Sequence, residues 1–362
     1  MNKIKVMHIV TDMGFGGAGK YLLNICKYLD REKYELTVVV PKGSVLKSKV
    51  QQFPETIVME SNGIDRRSFS FQGVKELYKL MKIDNPEIVH SHACLSARIA
   101  AYLRGVRKTV YTRHSLLPPN RGLKKTTKVI LSRILGSKAI AVSKAVKDNL
   151  AAEGERQSDI YLIYNGVELP DKAYEKEHLR EKYRLSDKDI VITLVGRLNK
   201  VKGQEHLLKV TELLNSEING FKVLLVGEGP ERRSLENFVK EEILPVEFLG
   251  HINEIDEIYS LSDIVVNTSN SEAFPFAVLE AFSHKKPVVA FNVGGIGEAI
   301  TNGQDGFLVD FLDYEQFSSR LTELMRNENQ REEFGQRGFE KVKSEFAVEE
   351  MIKKIENVYG GI

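Results

Sequence analysis

Short apolar runs alternate with amphipathic stretches along almost the whole chain, in two successive halves. In the first, Ile4–Val10 and Glu35–Val40 read as strands, with a helix over Lys20–Leu29 between them. Glu87–His90, Thr109–Thr112, Ala139–Val142 and Ile160–Ile163 are further strand candidates separated by helical stretches. In the second, Ile190–Val195, Phe221–Val226, Val246–Phe248, Ile264–Asn267, Val288–Ala290 and Phe307–Val309 repeat the pattern. Short strands alternating with helices predict a parallel sheet in each half. The expected architecture is therefore α/β, two doubly wound domains facing across a cleft. Asn165–Asp189 is polar, charged and proline-interrupted, as linkers are. That sets the domains at 1–168 and 189–342, with a linker over 169–188 and a closing helix over 343–362. Gln330–Tyr359 reads as helical throughout.

One carboxylate breaks the pattern. Glu280 is the only charge in the ten-residue run Ala273–Phe282, and Glu272 lies eight residues upstream. A bare buried carboxylate costs several kcal/mol, so an acid in such a run needs a partner. The surrounding grammar is a strand at Asp263–Thr268, a polar loop to Glu272, and a helix with Pro275 in its first turn, ending near His284. A second strand at Pro287–Phe291 and the glycine-bearing loop Asn292–Gly297 follow. In such a βαβ unit the strand-end loops lie on the ligand edge of the sheet, and the helix N-terminus offers N–H groups to an anion. The competing reading makes Glu272 a helix-dipole acid and Glu280 a surface residue.

The chain has 362 residues, enough for two domains, and its 28% charged and 42% hydrophobic residues describe a globular protein. Only Cys26 and Cys94 occur, so no disulfide framework is implied and a reducing, cytoplasmic setting fits. The N-terminal apolar stretch is too short for a signal peptide and stops at Asp12, and no run is long enough to span a bilayer.

The net charge of +2 hides a division. Residues 1–165 carry 28 Lys and Arg against 14 Asp and Glu, and the remainder carries 24 against 36. The basic residues concentrate at Arg121–Lys147, where Lys124, Lys125, Lys128 and Arg133 interleave with Leu123, Val129, Ile130, Leu131, Ile134 and Leu135. Such a basic amphipathic helix can lie on an anionic membrane surface, or equally be a core helix with one solvated face. No nucleic-acid partner is expected.

The first strand runs into Gly14-Phe-Gly-Gly-Ala-Gly19, which matches G-x-G-x-x-G. The dinucleotide fingerprint also needs an acid at the end of the second strand, and that strand ends Val40-Pro41-Lys42. What survives is a glycine loop able to approach a phosphate or sugar with its backbone. His90, His92 and His114 could form a zinc site, but no nearby acid completes one. Asp187-Lys-Asp189 precedes a strand, on the edge opposite the ligand side, and reads as surface charge. In the second half, Gly196-Arg197 and Lys202-Gly203 flank a helix start, where two cations can hold a diphosphate without metal.

Taken in order, GRLNKVKG, VLLVGEGPERRSLE, FLGHI, SDIVVNTSNSEAFPFAVLEA, KKPVVAFNVGGIGE and NGQDGFLV resemble the C-terminal domain of family 4 glycosyltransferases. GFGGAGKYLLNI, PEIVHSH, TRHS and IYNGV resemble the same family's first domain. The resemblance covers nearly the whole chain. It implies the GT-B fold of two Rossmann-like domains, with the last helix crossing back to the first. It also implies metal-independent transfer from a nucleotide sugar with retention of configuration.

Carried over by position, Glu280 would bind the nucleotide ribose and Glu272 the donor sugar's hydroxyls. Arg197 and Lys202 would neutralise the diphosphate. Backbone N–H groups of Phe274, Phe276 and Ala277 would contact sugar or phosphate, Gly16 and Gly17 would approach from the other domain, and His251–Ile252 would face the base. His92 would sit near the reacting centre, with His114 a weaker match. Two departures are Pro275, which removes one N–H donor, and Gly297. No cofactor is implied, the nucleotide sugar being a substrate. UDP is the expected nucleotide with GDP the alternative, and a hexose or N-acetylhexosamine the sugar. The basic first domain points to a lipid-linked or polysaccharide-precursor acceptor at the inner membrane face. The competing functions are a nucleotide-sugar epimerase and a non-catalytic binder.

Overall fold

The computed structural model describes residues 3–65, 67–118 and 122–362. The chain divides into two compact units, one of Met1–Asn165 with Val348–Ile362 and one of Gly166–Ala347. The first holds seven strands: β1 (Ile4–Val10), β2 (Tyr34–Pro41), β3 (Thr56–Ser61), β4 (Ile88–His92), β5 (Lys108–Arg113), β6 (Lys138–Ala141) and β7 (Ile160–Leu162). They form one sheet in the order β3-β2-β1-β4-β5-β6-β7, with every pairing parallel. Helices cover both faces of such a sheet, so its central strands are buried along their length rather than at alternate residues, and β4, Ile-Val-His-Ser-His, is buried throughout. Val6, Met7 and Ile9 of β1 are fully buried accordingly.

The second unit holds β8 (Ile190–Val195), β9 (Phe221–Val226), β10 (Val246–Gly250), β11 (Ile264–Asn267), β12 (Val288–Phe291) and β13 (Gly306–Val309). Their order is β10-β9-β8-β11-β12-β13, again all parallel. Strand order reverses between β1 and β4 in one sheet and between β8 and β11 in the other. At such a switch point the loops leaving two adjacent strands diverge and open a crevice at their C-terminal ends. In the first unit the register pairs Val10 with His92, so the glycine loop and His92 leave that edge side by side. In the second, the loops after Val195 and Asn267 do the same.

Three local expectations change. Thr56–Ser61 is an edge strand that the apolar pattern does not announce. The stretch 169–188, read as a linker, carries the helix Lys176–Lys182, and its Leu179 and Leu185 are buried with Val191 and Leu224 in the second unit. The closing stretch is two helices, Glu328–Glu345 and Val348–Gly360, rather than one. The break falls at Phe346, whose ring is buried against Phe274 and whose φ of −125° leaves the helical range. Val348–Gly360 then packs with the first unit, burying Val348, Met351, Ile355 and Tyr359.

Candidate active site

In the second unit, Lys202 and Glu272 meet at the switch point. Lys202 Nζ donates to Glu272 Oε1, and Ser269 Oγ donates to the same oxygen at 2.8 Å. Backbone geometry brings them together across 70 residues. Gly203 caps the helix Gln204–Glu217 with φ +63°, and a Cβ there would lie 2.2 Å from the carbonyl oxygen of Thr268. Only glycine permits that approach. Thr268 Oγ1 donates to the Gly203 carbonyl at 2.9 Å, and Asn270 donates from its backbone N–H to Val201 at 2.8 Å. Asn270 also bonds His206 Nε2 through Oδ1 at 2.8 Å, so the loop before Glu272 is laced to the loop that carries Lys202. Gly227 repeats the device, its absent Cβ clearing the Gly196 carbonyl that a methyl would meet at 2.0 Å. Arg197, next to that carbonyl, is exposed.

Glu280 lies on the eight-residue helix Phe276–Ser283, and Pro275 occupies the position before its first turn. Its partner is Tyr259, whose hydroxyl donates to Glu280 Oε2 at 2.6 Å. Tyr259 is fully buried, and burial followed by the Glu280 charge raises its hydroxyl pKa well above the usual range. The lone acid therefore has the hydrogen-bonded partner that its apolar setting demands. Phe274 and Phe276 are nearly buried, Ala277 is half-buried, and their backbone amides belong to the start of this helix. His251 is exposed and Ile252 half-buried, directly after β10 on the same sheet edge.

In the first unit, Gly16 and Gly17 begin the helix Gly17–Tyr28, with Gly16 in extended backbone at its N-cap. His92 is 2% exposed, and both of its ring nitrogens bond other imidazoles: Nε2 to His8 Nδ1 at 3.1 Å and Nδ1 to His114 Nε2 at 2.9 Å. His90 bonds Tyr359 and Thr112 instead. His90 and His92 thus spend both ring nitrogens on other imidazoles and on hydroxyls, whereas His114 uses Nε2 alone. Among the described residues no group of three or more His, Cys, Asp or Glu is arranged to hold a metal.

Residues 15–170 match the family model described as Glycosyltransferase Family 4, and residues 175–341 match that described as Glycosyl transferases group 1. The chain belongs to the family 4 glycosyltransferases. Over 361 residues this glycosyltransferase is 25% identical to N-acetyl-alpha-D-glucosaminyl L-malate synthase of Bacillus anthracis, covering 95% of this chain and 93% of that one. Over 348 residues it is 26% identical to the UDP-Gal:alpha-D-GlcNAc-diphosphoundecaprenol alpha-1,3-galactosyltransferase of Escherichia coli, covering 89% and 88%. Among solved structures, Anabaena HepE in complex with UDP-glucose matches with a TM-score of 0.85 at 20% identity, over 99% of this chain and 100% of that one. The fold class is GT-B.

Within the glycosyltransferase, the structure joins Lys202 to Glu272 directly, whereas the sequence alone assigns them to different parts of one ligand. It adds Ser269, three residues before Glu272, and also Asn270 and Tyr259, whose partners lie farther off in the chain. The basic helix Leu123–Leu135 is partly committed internally: Lys128 and Arg113 both pair with the buried Glu153. Ile130 and Ile134 are each 52% exposed, one turn apart on its outer face. Arg121 and the side chains of Leu123, Lys124 and Lys125 lie outside the described residues. Among the described residues no helix is long and apolar enough to cross a membrane.

Proposed function

We propose that this glycosyltransferase moves a hexose or N-acetylhexosamine from a UDP-sugar to a lipid-linked or polysaccharide-precursor acceptor at the cytoplasmic membrane face, with retention and without a metal. The observation that carries the reading is the Lys202–Glu272 pair at the switch point, beside the N-terminus of the helix Phe276–Ser283. Lys202 is 31% exposed and Glu272 10%. Glu272 is nearly buried, so when it gives up Lys202 it needs other donors, and it keeps Ser269 while gaining the sugar hydroxyls. A diphosphate takes Lys202, together with Arg197, and frees the Glu272 carboxylate to accept from sugar hydroxyls. Glu280 accepts from the ribose while keeping Tyr259, and His251–Ile252 meets the base. As the diphosphate leaves, the two cations and the helix N-terminus stabilise its charge, the role a metal serves elsewhere. The acceptor hydroxyl attacks the anomeric carbon from the face the diphosphate leaves, and its proton passes to the diphosphate oxygen whose bond to that carbon breaks.

The UDP-linked names of the relatives support the nucleotide, and the diphosphoundecaprenol relative supports a lipid-linked acceptor. A panel of UDP- and GDP-sugars, read by nucleotide release with and without a metal chelator, tests the donor. Release from UDP-sugars unaffected by chelator is expected, and exclusive use of GDP-sugars or abolition by chelator overturns that part. The anomeric proton coupling of the product tests retention.

A further inference from the structure

Six buried or half-buried groups of the first unit form one unbranched hydrogen-bonded chain. Thr112 Oγ1 bonds His90 Nε2 at 2.7 Å, and His90 Nδ1 bonds the Tyr359 hydroxyl at 2.6 Å. The Tyr359 hydroxyl bonds His8 Nε2 at 2.9 Å, His8 Nδ1 bonds His92 Nε2 at 3.1 Å, and His92 Nδ1 bonds His114 Nε2 at 2.9 Å. Tyr359 comes from the last helix, 351 residues from His8. Burial pushes His8 and His114 down to about 3 and holds His90 and His92 well below the ordinary imidazole range, so all four rings are neutral at pH 7.

A neutral imidazole has one N–H and one lone pair, and a hydroxyl has one proton. Each inner ring of this chain uses both nitrogens, so it donates on one side and accepts on the other. Tyr359 sits between two nitrogens and does the same, because accepting from both would leave its own buried O–H without an acceptor. The whole chain can therefore be ordered in only two ways. If protons point from Thr112 towards His114, then His90, His8, His92 and His114 all carry hydrogen on Nδ1. If they point the other way, all four carry it on Nε2. At the open end, His114 Nδ1 has no partner among the described residues, and His114 is half-buried just past β5, on the sheet edge where ligands bind.

We propose that Tyr359 is a positioning residue that locks the four imidazoles into a single shared tautomer, and that His114, through Nδ1, presents the resulting donor or acceptor to a hydroxyl of the glycosyl acceptor. His92 has no nitrogen left for that task. The substrate half rests on the glycosyltransfer reading, and the tautomer half does not.

Nitrogen-15 NMR of histidine-labelled protein reads each ring's tautomer directly. In the wild type all four rings should agree, and one ring of the opposite tautomer overturns the ordering. In Tyr359→Phe, His8 Nε2 and His90 Nδ1 lose their partner. A buried N–H without an acceptor is worse tolerated than an unpaired acceptor. His8, His92 and His114 should then carry hydrogen on Nδ1 and His90 on Nε2, whichever order the wild type has. Four rings unchanged and still alike in Tyr359→Phe would remove Tyr359 from its role. For the substrate half, His114→Ala should lower kcat/KM for acceptor about tenfold, the loss of one hydrogen bond, with UDP affinity unchanged. Acceptor kinetics equal to wild type would overturn it. His8, His90 and His92 still sharing a tautomer in that variant show that the network is intact. A wild type that transfers no sugar at all would sink the glycosyltransfer reading while leaving the tautomer result standing.

Discussion

Gly203→Ala is the sharpest probe of how the site is assembled, because it leaves Lys202 and Glu272 chemically intact. The added methyl would lie 2.2 Å from the Thr268 carbonyl oxygen and 3.1 Å from its carbon, whereas ordinary contact begins at 3.4 Å. The loops must therefore part by roughly 1 Å. Alanine at φ +63° also pays about 1–2 kcal/mol of backbone strain. Parting the loops strains the Thr268–Gly203 and Asn270–Val201 hydrogen bonds, each worth about 1 kcal/mol. The expected destabilisation is about 2–4 kcal/mol in all. Displacing a catalytic group by roughly 1 Å can cost about a hundredfold in rate. Gly220→Ala supplies the control: it has φ +81° in the same unit but nothing within 4 Å of the new methyl, so it meets the strain alone. Urea unfolding of both variants and UDP release from the preferred donor are the measurements. Gly203→Ala should lose about 1–2 kcal/mol more than Gly220→Ala, and about a hundredfold in kcat/KM where the control loses little. Equal losses in the two variants, in stability and rate, would show that the close approach does not hold the site.

Other expectations concern chemistry and linkage. Lys202→Ala should cut kcat by about a hundredfold or more, as loss of one stabilising donor at a developing charge does; Glu272→Gln should do likewise, and near-normal turnover in both removes the site assignment. Tyr259→Phe strips Glu280 of its buried partner and should lower stability by about 1–3 kcal/mol, measured by urea unfolding; an unchanged midpoint would mean that Glu280 is satisfied elsewhere. His8 and His114 bind protons near pH 3 when folded and near 6.5 when unfolded, so the unfolded chain takes up more protons between those values and stability falls as pH drops through that window. Denaturant midpoints should hold steady above pH 6.5 and decline from there towards 4; a flat profile down to 4 contradicts neutral buried imidazoles. Ile130→Ser with Ile134→Ser should weaken sedimentation with anionic vesicles at low salt, and wild-type protein that stays in the supernatant removes the membrane reading.

Apolar runs bounded by turn residues were enough to place both sheets, because parallel strands buried on both faces are written as continuous Val, Ile and Leu. Thr56–Ser61 escaped because it is an edge strand: Ile57 is 42% exposed and only the terminal Thr56 and Ser61 are buried. The helix Lys176–Lys182 escaped because about two turns of charge hide a single apolar anchor, Leu179, whose core partners include Val191 and Leu224 later in the chain. The fault in the closing helix was likewise set from outside, by the ring of Phe274 against Phe346.

The same reason separates the legible part of the site from the rest. A carboxylate stranded among apolar residues advertises that it has a partner, but not which one. For Glu280 the family resemblance implies a ribose, and the fold adds Tyr259, 21 residues away. The histidines show the complementary case. His92 has the position of a reacting group, yet a side chain's position and its free atoms are different properties. Once His8 and His114 hold both of its nitrogens, its remaining contribution runs through them. The bonds that decide this span 84 and 22 residues, and the one that closes the chain reaches a tyrosine in the last helix. Spacing rules act over a few residues and could not foresee it. Chemistry-bearing residues are thus readable from local pattern, whereas which of their atoms remain available is a property of the folded unit.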